Sequence, residues 1–248
     1  MAAAQDKAIT PQDPIRLFNG KNLDNFYTYL RHSKYEDPKK VFTVQNGVIR
    51  ISGEEWGAIT TRKDYRDYHL IVEWKWGGKA WPPRQDKARD SGIMLHSVGP
   101  DGAYGGLWME SIECQIIEGG CGDIILVGTT RKPTLTVETR VGGNKELYWH
   151  KGGTPVTKDS GRFDWYGRDE AWKDVLGFRG RQDVEKRVGK WNRSEVICDG
   201  DSITNLVNGV VVMHGTKASH TAGKIQIQSE SSEIFIRKVE LRPLKRRP

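Results

Sequence analysis

The segment VFTVQNGVIRIS, residues 41–52, sets two β-branched runs on either side of Asn46-Gly47. That dipeptide accepts the positive φ angles of a two-residue hairpin turn, so the segment predicts a tight β-hairpin. The pattern recurs in WNRSEVICDGDSITNLVNGVVVMHG, residues 191–215, with turns at Asp199-Gly200 and Asn208-Gly209. GAITTRKDY, YHLIVEWKW, SGIMLHSV (91–98), SIECQIIE (111–118), TLTVETRV (134–141), GKIQIQSES (223–231) and EIFIRKVELRPL (233–244) read as further strands. Helical periodicity is scarce, and DEAWKDVLGF (169–178) is the one candidate short helix. Many short strands punctuated by Gly and Asn predict an all-β sandwich or barrel.

A chain of 248 residues suits one such domain. Residues 1–14 are polar, carry Pro11 and Pro14, and read as a flexible arm; 15–244 read as a single domain and 245–248 as a basic tail. Within the domain, residues 142–190 have no clean period and are rich in Gly, charge and aromatic side chains. They read as a long loop excursion, the kind of segment that usually carries function or its own structure. Nine tryptophans argue against disorder. The net charge of +7 is spread along the chain apart from Lys245, Arg246 and Arg247. No arginine-rich helix, zinc finger or RNA-binding sheet signature accompanies it, so nucleic acid is not an expected partner. No apolar run nears the roughly 20 residues of a membrane helix. Nothing in the sequence specifies an oligomeric state. The three cysteines, Cys114, Cys121 and Cys198, are an odd number without metal-type spacing, which leaves a Cys114–Cys121 bridge open. The stretch AAAQ near the start is similar to the small-residue end of a cleaved export signal, and predicts a periplasmic or extracellular protein.

Side chains of a strand alternate between faces. In GKIQIQSES, Ile225 and Ile227 share one side, and Gln226, Gln228 and Glu230 the other. In SIECQIIE, Ile112, Cys114 and Ile116 oppose Glu113 and Gln115. In SGIMLHSV, His96 falls with Met94, and Ile93 with Leu95. The polar sides together carry His96, Glu113, Gln115, Gln226, Gln228 and Glu230. Two readings are open: a solvated sheet face, which would more typically carry Lys, Thr and Ser, or a wet groove for a hydroxyl-rich ligand.

RLFNGKNLDNFYTYL, KARDSGIMLHSVGPDG, WMESIECQIIEGGCGD, KWNRSEVICDGDSITNLVNG and GKIQIQSESSEIFIRKVEL together resemble the 3-keto-disaccharide hydrolase domain family, from about Ile15 to Leu244. The resemblance implies a two-sheet jelly-roll sandwich of the concanavalin A-like class, whose concave sheet binds carbohydrate. Glu113 and Gln115 would then line the groove. It also implies cleavage of 3-keto-glycosides. Oxidation at carbon 3 acidifies the proton at carbon 2, a base removes it, and the enediolate expels the group at carbon 1. Water can add back, so the outcome is hydrolase or lyase. Such chemistry needs a base, an acid for the leaving oxygen and stabilisation of charge on the carbon 3 oxygen.

On this reading Glu113 is the first candidate for general base or metal ligand. His96 could serve as base, acid or ligand, because its ordinary pKa of about 6.5 suits either proton role. Glu230 lies in QSES where the family usually has QSEG or QSHG, and is a candidate acid or ligand. Gln115, Gln226 and Gln228 suit sugar hydroxyls, because an amide both donates and accepts. Arg89 and Asp90 are candidates for substrate binding or for a loop-stabilising pair, and Asp123 for shaping a turn. Trp149, His150, Trp165 and Trp172 could wall the groove or form a local core, with Arg84 and Lys87 as an electropositive rim. No cofactor is required by the sequence. If His96, Glu113 and Glu230 converge, their mixed donors suit Zn, Mn or Fe better than Ca. A non-catalytic carbohydrate-binding module on the same scaffold is the main alternative. A conventional retaining glycosidase, with carboxyls about 5–5.5 Å apart, is the third.

Overall fold

In the computed structural model, which describes residues 8–245, the apolar runs become strands and alternation decides what each one buries. In chain order they are β1 (Ile15–Arg16), β2 (Phe26–Leu30), β3 (Phe42–Gln45), β4 (Val48–Ile51), β5 (Gly57–Thr61) and β6 (Tyr68–Ala80). Then come β7 (Asp90–Val98), β8 (Glu110–Ile117), β9 (Ile124–Val127), β10 (Leu135–Val141), β11 (Leu147–Trp149) and β12 (Thr154–Lys158). The last are β13 (Gly161–Phe163), β14 (Asn192–Asp199), β15 (Ser202–Val207), β16 (Val210–Thr216), β17 (Lys224–Ser229) and β18 (Ser232–Arg242).

Two antiparallel sheets result. The larger runs β11-β10-β16-β15-β14-β6-β18-β4-β3, with β1 beside β18 and β12 beside β10. The smaller runs β13-β9-β8-β7-β17-β5-β2. Tyr68, Trp74, Trp76, Val196, Ile234 and Ile236 of the larger sheet meet Ile59, Ile93, Leu95, Ile112, Ile116 and Ile227 of the smaller in one apolar layer. Each such side chain contributes about 1.5–3 kcal/mol by leaving water. Asn46 and Gly47 take φ of 50° and 76°, closing β3 on β4 at Gln45↔Val48 as the dipeptide demands.

Several expectations are corrected. Residues 142–190 are not one loop, because β11, β12 and β13 lie within them and extend both sheets. These strands are too short to show a period, and β12 carries Pro155 at a sheet edge, where a missing N–H is tolerated. Residues 169–178 form turns rather than a helix. Among the described residues no helix is long and apolar enough to cross a membrane. Part of the arm is fastened: the Ile9 N–H donates to the Asp64 carbonyl at 2.9 Å, and Pro11 is buried. The AAAQ stretch, and Arg246 and Arg247 of the basic cluster, lie outside the described residues. Cys114, Cys121 and Cys198 are free and buried, so no bridge joins Cys114 to Cys121.

One feature of the smaller sheet points to a site. β8 is buried along its whole length and β7 along all but its last residue, polar positions included. Its outward face is therefore covered.

Candidate active site

Register assembles the outward face of the smaller sheet from three strands. Gly92 of β7 lies opposite Gln115 of β8, and Met94 opposite Glu113. On the other flank Met94 pairs with Gln226 of β17, and Asp90 bridges to Glu230. Asp90, Glu113, Gln115, Gln228 and Glu230 thus share one patch, and all five were expected from the sequence. Gly92 makes room for it: a β-carbon there would overlap the Glu113 carboxylate and sit 2.6 Å from Gln228 Oε1. Asp90 accepts from Gln115 Nε2 at 3.1 Å and pairs with Arg84 at 3.1 Å. The amide oxygens of Gln115 and Gln228 are buried without a partner. A buried acceptor left unpaired is costly, and a ligand hydroxyl would satisfy each.

Electrostatics separates the three acids. Burial, and then the charge of Asp90, push the Glu113 carboxyl up to about 8. Burial raises Asp90 to about 6, with Arg84 pulling the other way. Glu230, at the solvent edge of the patch, is raised well above the ordinary range by burial and by the charges of Asp90 and Glu113. At neutral pH the cluster therefore holds protons that isolated carboxylates would release.

Arg162 of β13 completes the cluster and was missed in the sequence. It pairs with Ile125, which pairs with Glu113, so the guanidinium and the carboxylate belong to one row across the sheet. Its charge acts on Asp90, Glu113 and Glu230 alike. Arg162 also lines a cleft of about 360 Å³ with Asp164, Arg168 and Trp172. Behind it Asp123 accepts from the Trp165 N–H at 2.8 Å and pairs with Arg168, which makes Asp123 a buried anchor.

An aromatic wall borders the acids and was likewise unforeseen. Trp56 and Trp108 stack at 6.2 Å and 21°, and Tyr104 stacks on Trp108 at 6.5 Å and 20°. They cover Ala58, Met94 and Val127 as a second apolar cluster outside the main core. Trp56 Nε1 donates to Ser231 Oγ at 2.5 Å, beside Glu230. The outward alternation of β5 could have placed Trp56; Trp108 lies outside any strand and gave no such signal.

Other expected residues lie elsewhere. His96 does not join Glu113. The β7–β8 register shifts between Leu95 and Val98, and His96 takes φ of 49°, so this bulge turns its ring into the core beside Tyr68, 5.5 Å away. Its Nδ1 meets the His220 carbonyl at 2.9 Å, and burial lowers its pKa to about 4. The imagined metal set of His96, Glu113 and Glu230 is therefore not assembled. Among the described residues no three His, Cys, Asp or Glu side chains are placed to hold a metal. Gln226 spends its amide on structure, donating to Thr60 Oγ1 at 2.8 Å and accepting from the Met109 N–H at 3.0 Å. Arg89 pairs with Glu118 at 2.7 Å instead of Asp90, because neighbours on a strand point apart. Trp165 is in the main core, while Trp149 and the exposed His150 belong to the edge of the larger sheet. Trp172 packs on Phe178 and donates to the Glu118 carbonyl at 2.8 Å. Arg84 reaches the site through Asp90, whereas Lys87 pairs with Asp174 at 3.4 Å.

Residues 13–242 match the family model of the 3-keto-alpha-glucoside-1,2-lyase-like domain. The chain belongs to that family. No curated relative matches it. Among solved structures, a protein of Parabacteroides distasonis ATCC 8503 provisionally described as a glycosyl hydrolase is 18% identical, with a TM-score of 0.53. The match covers 94% of this chain and 100% of that one. A second such protein from the same organism is 15% identical with a TM-score of 0.55, covering 96% of this chain and 100% of its own. At these identities the likeness is one of fold. The fold of this lyase-like domain is an all-β sandwich of two antiparallel sheets.

Proposed function

We propose that this lyase-like domain cleaves 3-keto-glycosides by elimination. Glu113 takes the proton from carbon 2, whose acidity comes from the neighbouring ketone. The C–H electrons form the carbon 2–carbon 3 double bond of an enediolate and push the carbonyl pair onto the carbon 3 oxygen; as that carbonyl re-forms, the pair moves into a carbon 1–carbon 2 double bond. Arg162 faces that charge. The carbon 1–oxygen bond then breaks, and Glu230 protonates the departing oxygen. Water adding to the resulting enone gives net hydrolysis; without it the reaction ends as a lyase.

The observation that carries this reading is the convergence of Asp90, Glu113 and Glu230 with Arg162 on one covered face. The raised pKa of both carboxyls supports the roles. A base works best near its operating pH, and Glu113 at about 8 is close to it. Glu230, held well above the ordinary carboxyl range by burial and by the charges of Asp90 and Glu113, retains the proton an acid must give. Gln115 and Gln228 offer their unpaired oxygens to sugar hydroxyls, and the Trp56–Trp108–Tyr104 wall offers flat apolar faces to the ring.

The test offers the purified protein a chromogenic glucoside and its 3-keto derivative, each with and without a chelator. Release from the keto compound alone is expected. Release from the unoxidised glucoside would instead favour a conventional glycosidase. Binding without release from either would favour a carbohydrate-binding module. The chelator arm reads whether a divalent ion takes part.

A further inference from the structure

The larger sheet carries a cleft of its own, away from Glu113. β10 and β16 pair only through Thr136↔Thr216 and Val137↔Gly215, and a cleft of about 760 Å³ lies over this junction. Thr136, Thr204, His214 and Thr216 line it from the outward face of the sheet, joined by Glu138, Lys151 and Trp149. Leu135, Val137, Ile203 and Met213, their neighbours in the strands, point into the core. None of the lining residues belongs to the carboxylate cluster.

Trp149 distinguishes this cleft from an ordinary threonine-rich surface. Trp56, Trp74, Trp81, Trp108, Trp165 and Trp172 each donate their indole N–H to a protein acceptor. Trp76, Trp149 and Trp191 make no such bond among the described residues. Trp76 is sealed in the core and the ring of Trp191 is covered by Lys75 and Arg237. The half-buried Trp149 instead lines the cleft, its ring steadied by an edge-to-face contact with Tyr166 at 5.9 Å and 62°. Polar groups around it are also held in place. His214 Nδ1 and Thr204 Oγ1 meet at 2.8 Å, which leaves the imidazole Nε2 free of that bond. Glu138 Oε2 accepts from the Gly152 N–H at 2.8 Å, which leaves Oε1. Glu138 and Lys151 oppose each other in sign, so the cleft has no charge that selects an ion. A fixed indole, aligned hydroxyls and balanced charge match the alternating C–H faces and hydroxyls of a neutral sugar. Anion recognition would instead call for clustered arginine.

We propose that this cleft is a second carbohydrate-binding site, which takes a pyranose ring of a neutral oligosaccharide independently of the carboxylate cluster. Glu113→Gln protein, in which turnover is suppressed, is titrated calorimetrically with maltohexaose, cellohexaose, laminarihexaose and xylohexaose. At least one is expected to bind. Adding Trp149→Ala should weaken that binding by about tenfold or more. Thr204→Val, on the outward face of β15, should weaken it severalfold and guards against a folding defect in the tryptophan variant. In the Glu113 background of the natural sequence, both substitutions should leave turnover of a small 3-keto-glucoside unchanged. Failure of all four sugars to bind at about 10 mM would overturn the proposal. So would binding that survives both substitutions in folded protein, since the sugar would then sit elsewhere.

Discussion

In the proposed mechanism Glu113 gives up stability at high pH for its role as base. Its folded pKa of about 8 exceeds the ordinary 4.5, so the native state binds this proton more tightly than the unfolded chain does. The corresponding stabilisation is complete below about pH 4.5 and is lost as pH rises to about 8. Glu113→Gln keeps the shape and removes the buried charge. It is expected to stabilise the fold at pH 9 by on the order of a few kcal/mol, read as a higher melting temperature, and to change stability little at pH 5. Turnover of the 3-keto substrate should fall by about 10²–10⁴-fold. Calorimetric scans at the two pH values, with rates alongside, check both; an equal shift at both would contradict the buried charge. His96 runs the opposite way. Its folded pKa of about 4 lies below 6.5, so its neutral form stabilises the protein above pH 6.5, and that stability is lost as pH falls towards 4. His96→Asn suits the left-handed backbone there. It should lower the melting temperature yet flatten its decline between pH 7 and pH 4.5, while turnover near neutral pH stays within about twofold, since the ring lies on the core side. Loss of turnover in stable protein would return His96 to the site.

At the scale of the element, legibility followed regularity. Alternation placed Glu113, Gln115 and Gln228 on the correct side because β8 and the end of β17 continue without interruption past those positions. The same rule misplaced His96, because one bulge at the end of β7 reverses every facing beyond it. Arg162 was hidden in a three-residue strand, and its row with Glu113 exists only through β9. Trp108 is placed by distant partners that no local pattern contains: its indole N–H donates to the Gly57 carbonyl, and the N–H of the next residue, Met109, donates to Gln226 Oε1. Nine tryptophans could not be sorted for a related reason: a sandwich has an inner layer and two outward faces, and local sequence does not distinguish the latter. Gly92 shows the element acting on the site. Gly92→Ala forces a methyl into the Glu113 carboxylate and against Gln228. Expected are about 1–3 kcal/mol of destabilisation and roughly a 10²-fold fall in turnover. Denaturant titration and steady-state kinetics measure them, and wild-type rates in the variant would show that Glu113 does not work from this position.

Across the whole molecule, the site exists only because the sandwich gathers Asp90, Glu113, Arg162 and Glu230 from widely separated parts of the chain onto one face. Such a cluster titrates as a unit, and its members shift one another with signs fixed by their charges. The rate with the 3-keto substrate, as kcat/KM, should rise by about tenfold per pH unit while Glu113 is still protonated, then level near its ionisation. It should fall again where Glu230 loses its proton. The charge of Asp90 raises Glu113, and that of Arg162 lowers it. Asp90→Asn should therefore move the ascending limb to lower pH, whereas Arg162→Met should move it to higher pH and also reduce the plateau, because in the proposed mechanism the guanidinium faces the developing oxyanion. Merely structural damage would lower the plateau in either variant without moving the limbs in opposite directions. Shifts of the same sign, or none, would mean that the ionisation controlling the rate lies outside this cluster.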